Sequence, residues 1–591
     1  MKQKQTIICF ETEEQIENPR YTTKPKLSAG GPGSEAPPPY LVATGQTGHA
    51  VVGLDIGTRF SRIATYEQQH LKLLTDAPIP SLVCRLQSGN LTVGMQPTSD
   101  TVTIIQDFRN LVGTDWYIEA ECGFYSADML TELLIKRLAR IAAGNLDRPI
   151  SKAVITVPAT FTSAQRKLLK AAGLAAEVEV LQLINEPTAV AFYHCYQNRE
   201  FEGKLLVYHQ GAGTFAVSVM EYHSGLLEVK STIGNDRLCS NSFTGRLVSW
   251  MIDQFNHDSG YKLFKSPNTI LRMMAAAEQA ISDLHTAGQA NIKVTNLDIE
   301  SKDGSTSTSK THAYLMTNIK FKEYKSLIEP VVMESFQLVD QVLENAGINA
   351  NQIDQVLVSG DARALLPFWN HFFERLPAAT INPCSPATYP VFGAALQAAL
   401  INNSVRDFVV WDIMNEPVFV DEGGELKQVI ARGTPIPITA YRKCESPDPT
   451  VNMHVVQGSD NVPVIASLAE LTVSNCPPTT AGETKVEVQF IASADGIIDY
   501  RARHIGLDSQ LPLSIIDGQP VEAVNGWSDT RGSRKFDEAR LNRLARIMNM
   551  PPLTVLNVLR ARGYVIEHIK NGRAIEDMLR KLKKERIKNN A

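Results

Sequence analysis

The chain of 591 residues is too long to fold around one core, so several domains are expected. A charged fraction of 20%, an apolar fraction of 43% and a net charge of -5 are ordinary for globular protein and give no overall pull toward nucleic acid or anionic membrane. The eight cysteines are scattered, with no C-x-x-C and no His/Cys cluster at zinc spacing, and no apolar run approaches the ~20 residues that span a bilayer, so a reduced, cytoplasmic protein is expected.

Residues 1–49 include "KLSAGGPGSEAPPPY", a Pro-, Gly- and Ser-rich composition that buries little and predicts a disordered leader. From residue 50 to about 403, strand-like and helical segments alternate as in an α/β domain. It begins with "VVGLDIGTRFSR", an apolar strand running into Asp55, Ile56, Gly57 and Thr58. Gly57 lets the backbone bend close to a phosphate, and Asp55 at the strand end would reach a metal through water. Taken alone, this run reads first as an ordinary turn. "KAVITVPATFTSAQRKLLKAAGLAAEVEVLQLINEPTAVAFYH" then reads as strand, loop, helix and strand, with Glu186-Pro187 opening another helix. "LLVYHQGAGTFAVSV", Leu205 to Val219, reads as strand, glycine turn and strand, the shape that wraps a phosphate.

Residues 404–413 hold a short apolar run between acids, "DFVVWDI", expected to be an interdomain linker. From 414 to 506 the runs shorten and alternate. Val486, Val488 and Phe490 are separated by polar partners, and Asp495-Gly496 is a hairpin dipeptide, so a β-sandwich of roughly 90 residues is predicted. Residues 507–591 read as a loop and then a short helical lid or tail. Within it "LARIMNMPPLTVLNVLRARGYV" has a helix-turn-helix pattern with Arg540, Arg543, Arg546, Arg560 and Arg562 around it. A remodelled lid is the plainer reading of that pattern, and a nucleic-acid contact the sharper one.

The ordered set "VITVPATF", "INEPTAVAF", "GAGTF", "VLVSG", "FGAALQAAL" and "HVVQG" resembles the DnaK, or Hsp70, family of heat-shock chaperones in the actin-like ATPase superfamily. The resemblance covers about residues 50–506. It implies two α/β lobes closing over ATP or ADP with Mg²⁺, a linker, and a sandwich that binds extended clients under a helical lid. Position by position, Asp55, Gly57 and Thr58 match the first phosphate hairpin, and Gly211, Gly213 and Thr214 the second. Glu186, Pro187 and Pro158 match the acid and prolines that relay nucleotide state. Glu278 matches the ribose-contacting acid, and Gly360 and Arg363 a glycine turn and an adenine-stacking arginine. Asp407, Val409, Val410 and Asp412 match the acid-flanked linker, and Val451 and Met453 positions lining the peptide pocket. Asp421 and Glu422 stand where the family has an apolar arch over its client, so clients with basic or polar flanks are expected.

The departures fall on the chemistry. The family's catalytic lysine is Arg109, which keeps the charge but as a planar fork, a poor means of aiming one water. Its metal-side aspartate is His209, and the acid after its threonine is Ala216. At the adenine clamp a lysine, an arginine and a serine are Ile281, Ser282 and His285. The stretch "LVGTDWYIEAECGFYSADML" is also shorter than the family norm, so the subdomain at the cleft mouth is reduced. Phosphoryl transfer depends on positioning and charge, and losing one preorganised polar group elsewhere costs on the order of 10²–10³ in rate. The expectation is a chaperone that binds extended apolar client segments, with ATP hydrolysis crippled and nucleotide binding weakened or structural. J-domain and nucleotide-exchange co-chaperones are the implied partners. The alternatives are an ATP-driven foldase with compensating residues and a non-catalytic scaffold linked to nucleic acid through its tail.

Overall fold

A computed structural model describes residues 50–517, apart from 99, 115, 121–122, 265–266, 300–312, 361–364, 366, 386, 423–424, 447, 459–465, 477–483 and 506–509. The leader, the helix-turn-helix pattern and Arg363 therefore lie outside the described residues.

Two mixed sheets form two lobes. In the first, strands run in the order Glu179–Asn185, Ile150–Val157, Ala50–Ile56, Phe60–Glu67 and His70–Leu73. The first three are mutually parallel and the rest antiparallel. Ala50–Ile56 is buried almost without interruption, as expected for a central strand covered on both faces. The second sheet runs Thr380–Ser385, Gln355–Gly360, Gly203–Gln210, Phe215–His223, Leu226–Gly234, Val409–Ile413 and Pro435–Ile436. Helices are cut to length by local signals. Thr162 and Gln165 form a reciprocal capping box at the start of Ser163–Ala175, and Ser126 caps Ala127–Leu146 through Met129 N.

Helices Glu186–Gln197 and Tyr389–Ile401 pack in one cluster with strand residues Val154, Leu205 and Val207. The second helix is apolar on nearly every side, which suits full enclosure. Its small residues set the spacing. A Cβ on Gly393 would lie 2.0 Å from the Ala189 carbonyl oxygen, and one on Gly53 would lie 2.2 Å from Ala395 N. Neither position tolerates a side chain.

The C-terminal unit has two antiparallel sheets. One orders Glu425–Ile430, Val418–Glu422, Val451–Gln457, Ala466–Val473 and Leu513–Asp517, and the other Ile438–Ser446, Thr484–Ala492 and Ile498–His504. Val451, Met453 and Val455 point inward while Asn452 points out, the two-residue period of a half-buried strand. The expected end at residue 506 falls short, because Leu513–Asp517 pairs with Ala466–Val473 and completes the larger sheet. The expected linker is also a strand. Val409–Ile413 extends the second lobe's sheet by parallel pairing with Leu226–Gly234, then pairs with Pro435–Ile436 of the sandwich.

Candidate functional site

The two glycine hairpins meet between the lobes. A Cβ on Gly57 would stand 2.4 Å from the Phe60 carbonyl oxygen, so this tight turn requires glycine. From the second lobe, Gly211, Ala212, Gly213 and Thr214 join strands Gly203–Gln210 and Phe215–His223. A Cβ on Gly211 would lie 2.7 Å from the Thr214 carbonyl oxygen. One on Gly213 would lie 2.4 Å from Asn110 Nδ2 and 2.5 Å from Thr58 Oγ1. The hairpins face each other with no room for a side chain between them.

Charged groups fill the space below. Arg109, in a short 3-10 turn whose neighbour Phe108 is anchored in the first lobe's core, donates from Nη1 to Glu186 Oε1 at 2.7 Å and to the Ile56 carbonyl at 2.6 Å. Its Nη2 reaches Thr58 Oγ1 at 3.4 Å. Glu186, at the first position after strand Glu179–Asn185, also meets His209 Nε2 at 3.3 Å and accepts from Thr214 Oγ1 at 3.4 Å. Burial alone would raise its carboxyl. The Arg109 charge and the His209 hydrogen bond outweigh burial and bring it down to about 2. Asp55 goes the other way: burial, and then the Glu186 charge, raise its carboxyl above the usual range. Its Oδ1 accepts from Thr156 Oγ1 at 2.7 Å, and Arg62 stands 3.9 Å from Oδ2. Ala216 is buried opposite His209 in register. Among the described residues, no group of three or more His, Cys, Asp or Glu is arranged to hold a metal.

Among the positions matched by resemblance to the adenine clamp, Glu278 lies on helix Pro267–Ala287 and is paired with Arg59 Nη2 at 3.0 Å. Ile281 packs against the second lobe's core. His285 donates from Nδ1 to the Ile281 carbonyl at 2.7 Å and sits edge-on to Phe321, within its own helical layer. Gly360 has φ of +86° and a Cβ there would lie 2.2 Å from the Gln210 carbonyl oxygen, so both backbone shape and space demand glycine.

A second constellation joins the lobes to the sandwich. Asp407 pairs with Arg199. Val409 and Trp411 are exposed, whereas Val410 packs on the interlobe cluster. Asp412 accepts from Asn185 Nδ2 and Thr188 Oγ1, both at 3.0 Å. Arg166, fully enclosed, donates to Asn185 Oδ1 at 2.6 Å and to the Asp495 carbonyl at 3.1 Å. Burial lowers its guanidinium to about 10 against the opposing charges of Asp412 and Asp495. The Asp495 carboxylate accepts from Leu183 N at 2.8 Å and Lys170 Nζ at 2.6 Å, and Ser163 Oγ accepts from Ile498 N at 2.9 Å. Pro158 contributes its carbonyl to Arg166, and Pro187 occupies the first turn of helix Glu186–Gln197. A cavity of about 580 Å³ opens beside this junction, lined in part by Phe161, Arg166, Ile413, Met414 and Asp495.

Sequence reasoning missed Arg59, Asn185 and Arg166, and took Asp495 for a turn residue only. The one signal for Arg59 was its place directly after Thr58 in the first hairpin. In the sandwich, Val451 and Met453 are 8% and 4% exposed, within the core cluster that also holds Val418, Leu471 and Phe490. Asp421 stands 3.9 Å from His454.

A family model described as Hsp70 protein matches residues 102–520. The chain belongs to the Hsp70 family, whose fold is an actin-like nucleotide domain followed by a β-sandwich, and whose members are chaperones that generally bind ATP or ADP with Mg²⁺.

Proposed function

We propose that this Hsp70-family chain binds extended apolar segments of client polypeptides and does not turn over ATP. The observation that carries this reading is the Arg109–Glu186 pair at 2.7 Å. Catalysis of phosphoryl transfer needs a cation free to meet developing phosphate charge and donors aimed at the attacking water. In Arg109 both terminal nitrogens are committed, to Glu186, Ile56 and Thr58, and its charge is matched inside the protein. Of the positions matched to the family's metal-side acids, Asp55 and Glu186 keep a carboxylate, and each is already engaged by protein partners, as are the nearby Asp107, held by Asn110, and Asp236, held by Thr160. These residues do not fit a Mg²⁺–nucleotide poised for hydrolysis. The glycine hairpins keep their backbone shape, which supports at most weak or structural nucleotide binding.

The client half is supported by a two-sheet sandwich in which, among the described residues, strand Ile438–Ser446 stands at one end of its sheet's order. An extended peptide can add to such an edge through main-chain hydrogen bonds. Single-turnover hydrolysis of radiolabelled ATP by the full-length protein, with and without a J-domain partner, should stay at background. Anisotropy of a labelled Leu-rich peptide should report binding that ATP does not alter. An ordinary family rate that disappears in Glu186→Gln would establish an active foldase instead. Absence of peptide binding would leave the scaffold reading.

A further inference from the structure

We propose that the two lobes are clasped shut by the chain itself, with Arg59 as the cross-piece where a bound nucleoside would otherwise bridge them. This rests on the reading that the cleft no longer runs on ATP. Arg59 belongs to the turn between Ala50–Ile56 and Phe60–Glu67 of the first lobe. Its guanidinium crosses the cleft and meets two groups of the second lobe. Nη2 lies 3.0 Å from Glu278 Oε1, while Nε and Nη2 donate to Asn241 Oδ1 at 3.2 and 2.8 Å.

One of the groups that Arg59 grips, Asn241, is itself fixed to the second hairpin. Asn241 N donates to the Ala212 carbonyl and Ser240 N to the Gly211 carbonyl, both at 3.0 Å. Arg59 therefore ties the first hairpin to the second through the start of helix Ser240–Ser259. Deeper in the cleft, Glu186 of the first lobe bonds His209 and Thr214 of the second. Asn110 Nδ2 donates to the Gly213 carbonyl at 3.3 Å, and Thr160 Oγ1 to Asp236 at 2.9 Å. The clasps thus run from the mouth to the floor, and none of them needs a ligand. Arg59 also occupies Oε1 of Glu278, the acid matched to the family's ribose contact. The strand that carries Thr214 into the second lobe is followed by Leu226–Gly234, the strand on which the linker docks. Closure of the cleft and docking of the linker then share one rigid sheet, set by sequence and not by nucleotide state.

Hydrogen exchange of the nucleotide-free, full-length protein tests this. Wild type should protect the amides of residues 57–60 and 210–214. Arg59→Ala should speed their exchange about ten-fold or more while leaving strand Thr484–Ala492 unchanged. Arg59→Glu should loosen the hairpins likewise, and Arg59→Glu with Glu278→Arg should restore protection, which a merely unstable fold would not do. Hairpin amides that are protected only after ADP or ATP is added would overturn the proposal, as would an Arg59→Ala exchange pattern identical to wild type. Measurable ATP turnover would remove the functional reading but leave this nucleotide-free comparison intact.

Discussion

The guanidinium of Arg109 lies 2.7 Å from the carboxylate of Glu186, with the two side chains only 5% and 6% exposed. A buried pair of this kind stabilises little by its presence, because both ions are desolvated, yet breaking it leaves an uncompensated charge. Arg109→Met should therefore cost about 3–5 kcal/mol in urea unfolding of the nucleotide domain, and adding Glu186→Gln should recover a large part. The pH dependence has a fixed sign. Glu186 falls from 4.5 in the unfolded chain to about 2 in the fold, so its contribution is complete above pH 4.5 and is lost as the pH drops through about 2. A single Arg109→Met cost below about 1 kcal/mol would show that water reaches the pair and screens it.

Asp55 predicts the opposite behaviour. Burial first, and the neighbouring Glu186 charge second, raise its carboxyl above 3.8, so the folded state favours the protonated acid. The stability tied to that preference is present below the unfolded value and is lost as the pH rises through the folded one. Asp55→Asn keeps the acceptor for Thr156 Oγ1 and removes the charge. Its melting temperature should exceed wild type at pH 7, and the two should converge below pH 3.8. Scanning fluorimetry across this range checks it, and a variant less stable than wild type at pH 7 would contradict it.

The parts of the fold that could be read in advance are those with local signals. The Asp495-Gly496 turn is dictated by backbone conformation, Gly496 taking φ of +70°, whereas the glycines before Thr214 answer to close approach of neighbouring atoms. The alternation in Thr484–Ala492 is likewise a property of neighbouring residues. Arg59 carries no such signal, since its partners Asn241 and Glu278 come from helices far along the chain. The Asp495 carboxylate bonds Leu183 N, a residue 312 positions away. Nothing in a turn dipeptide indicates such a partner. Val451 and Met453 were legible as inward-facing, but a two-residue period cannot separate core from pocket lining.

Asp495 should hold the sandwich on the lobes. Its carboxylate takes Leu183 N and Lys170, and its carbonyl takes Arg166. Asp495→Ala leaves Leu183 N without its side-chain acceptor, a loss of about 1–3 kcal/mol for a buried donor. Undocking should follow, because the linker strand Val409–Ile413 is paired to the sandwich at only two positions, Asp412 with Ile436 and Ile413 with Pro435. Limited proteolysis should then cut near residues 407–413 at least several-fold faster, while the far-ultraviolet circular dichroism is unchanged. Equal cleavage rates would mean that the strand pairing alone secures the junction.

Carboxylates restored to the second hairpin would show whether it is a nucleotide site at all. His209 and Ala216 face each other in register across the second hairpin, both buried, and His209 hydrogen-bonds Glu186. Changing both to Asp adds two carboxylates next to Glu186. Without a cation these like charges repel, so the double variant should melt below wild type. Mg²⁺ with ADP should reverse that loss, since a ligand bound only by the folded state stabilises by about 2.7 kcal/mol at a hundred times its Kd. Wild type should show no Mg²⁺-dependent gain. Turnover should nevertheless stay at background in the double variant, because Arg109 remains committed to Glu186 and Ile56. Calorimetry and single-turnover assays separate the outcomes. No Mg²⁺-dependent gain would mean that the hairpin geometry no longer admits a nucleotide, and restored hydrolysis would mean that the missing carboxylates, not Arg109, were what had stopped the chemistry.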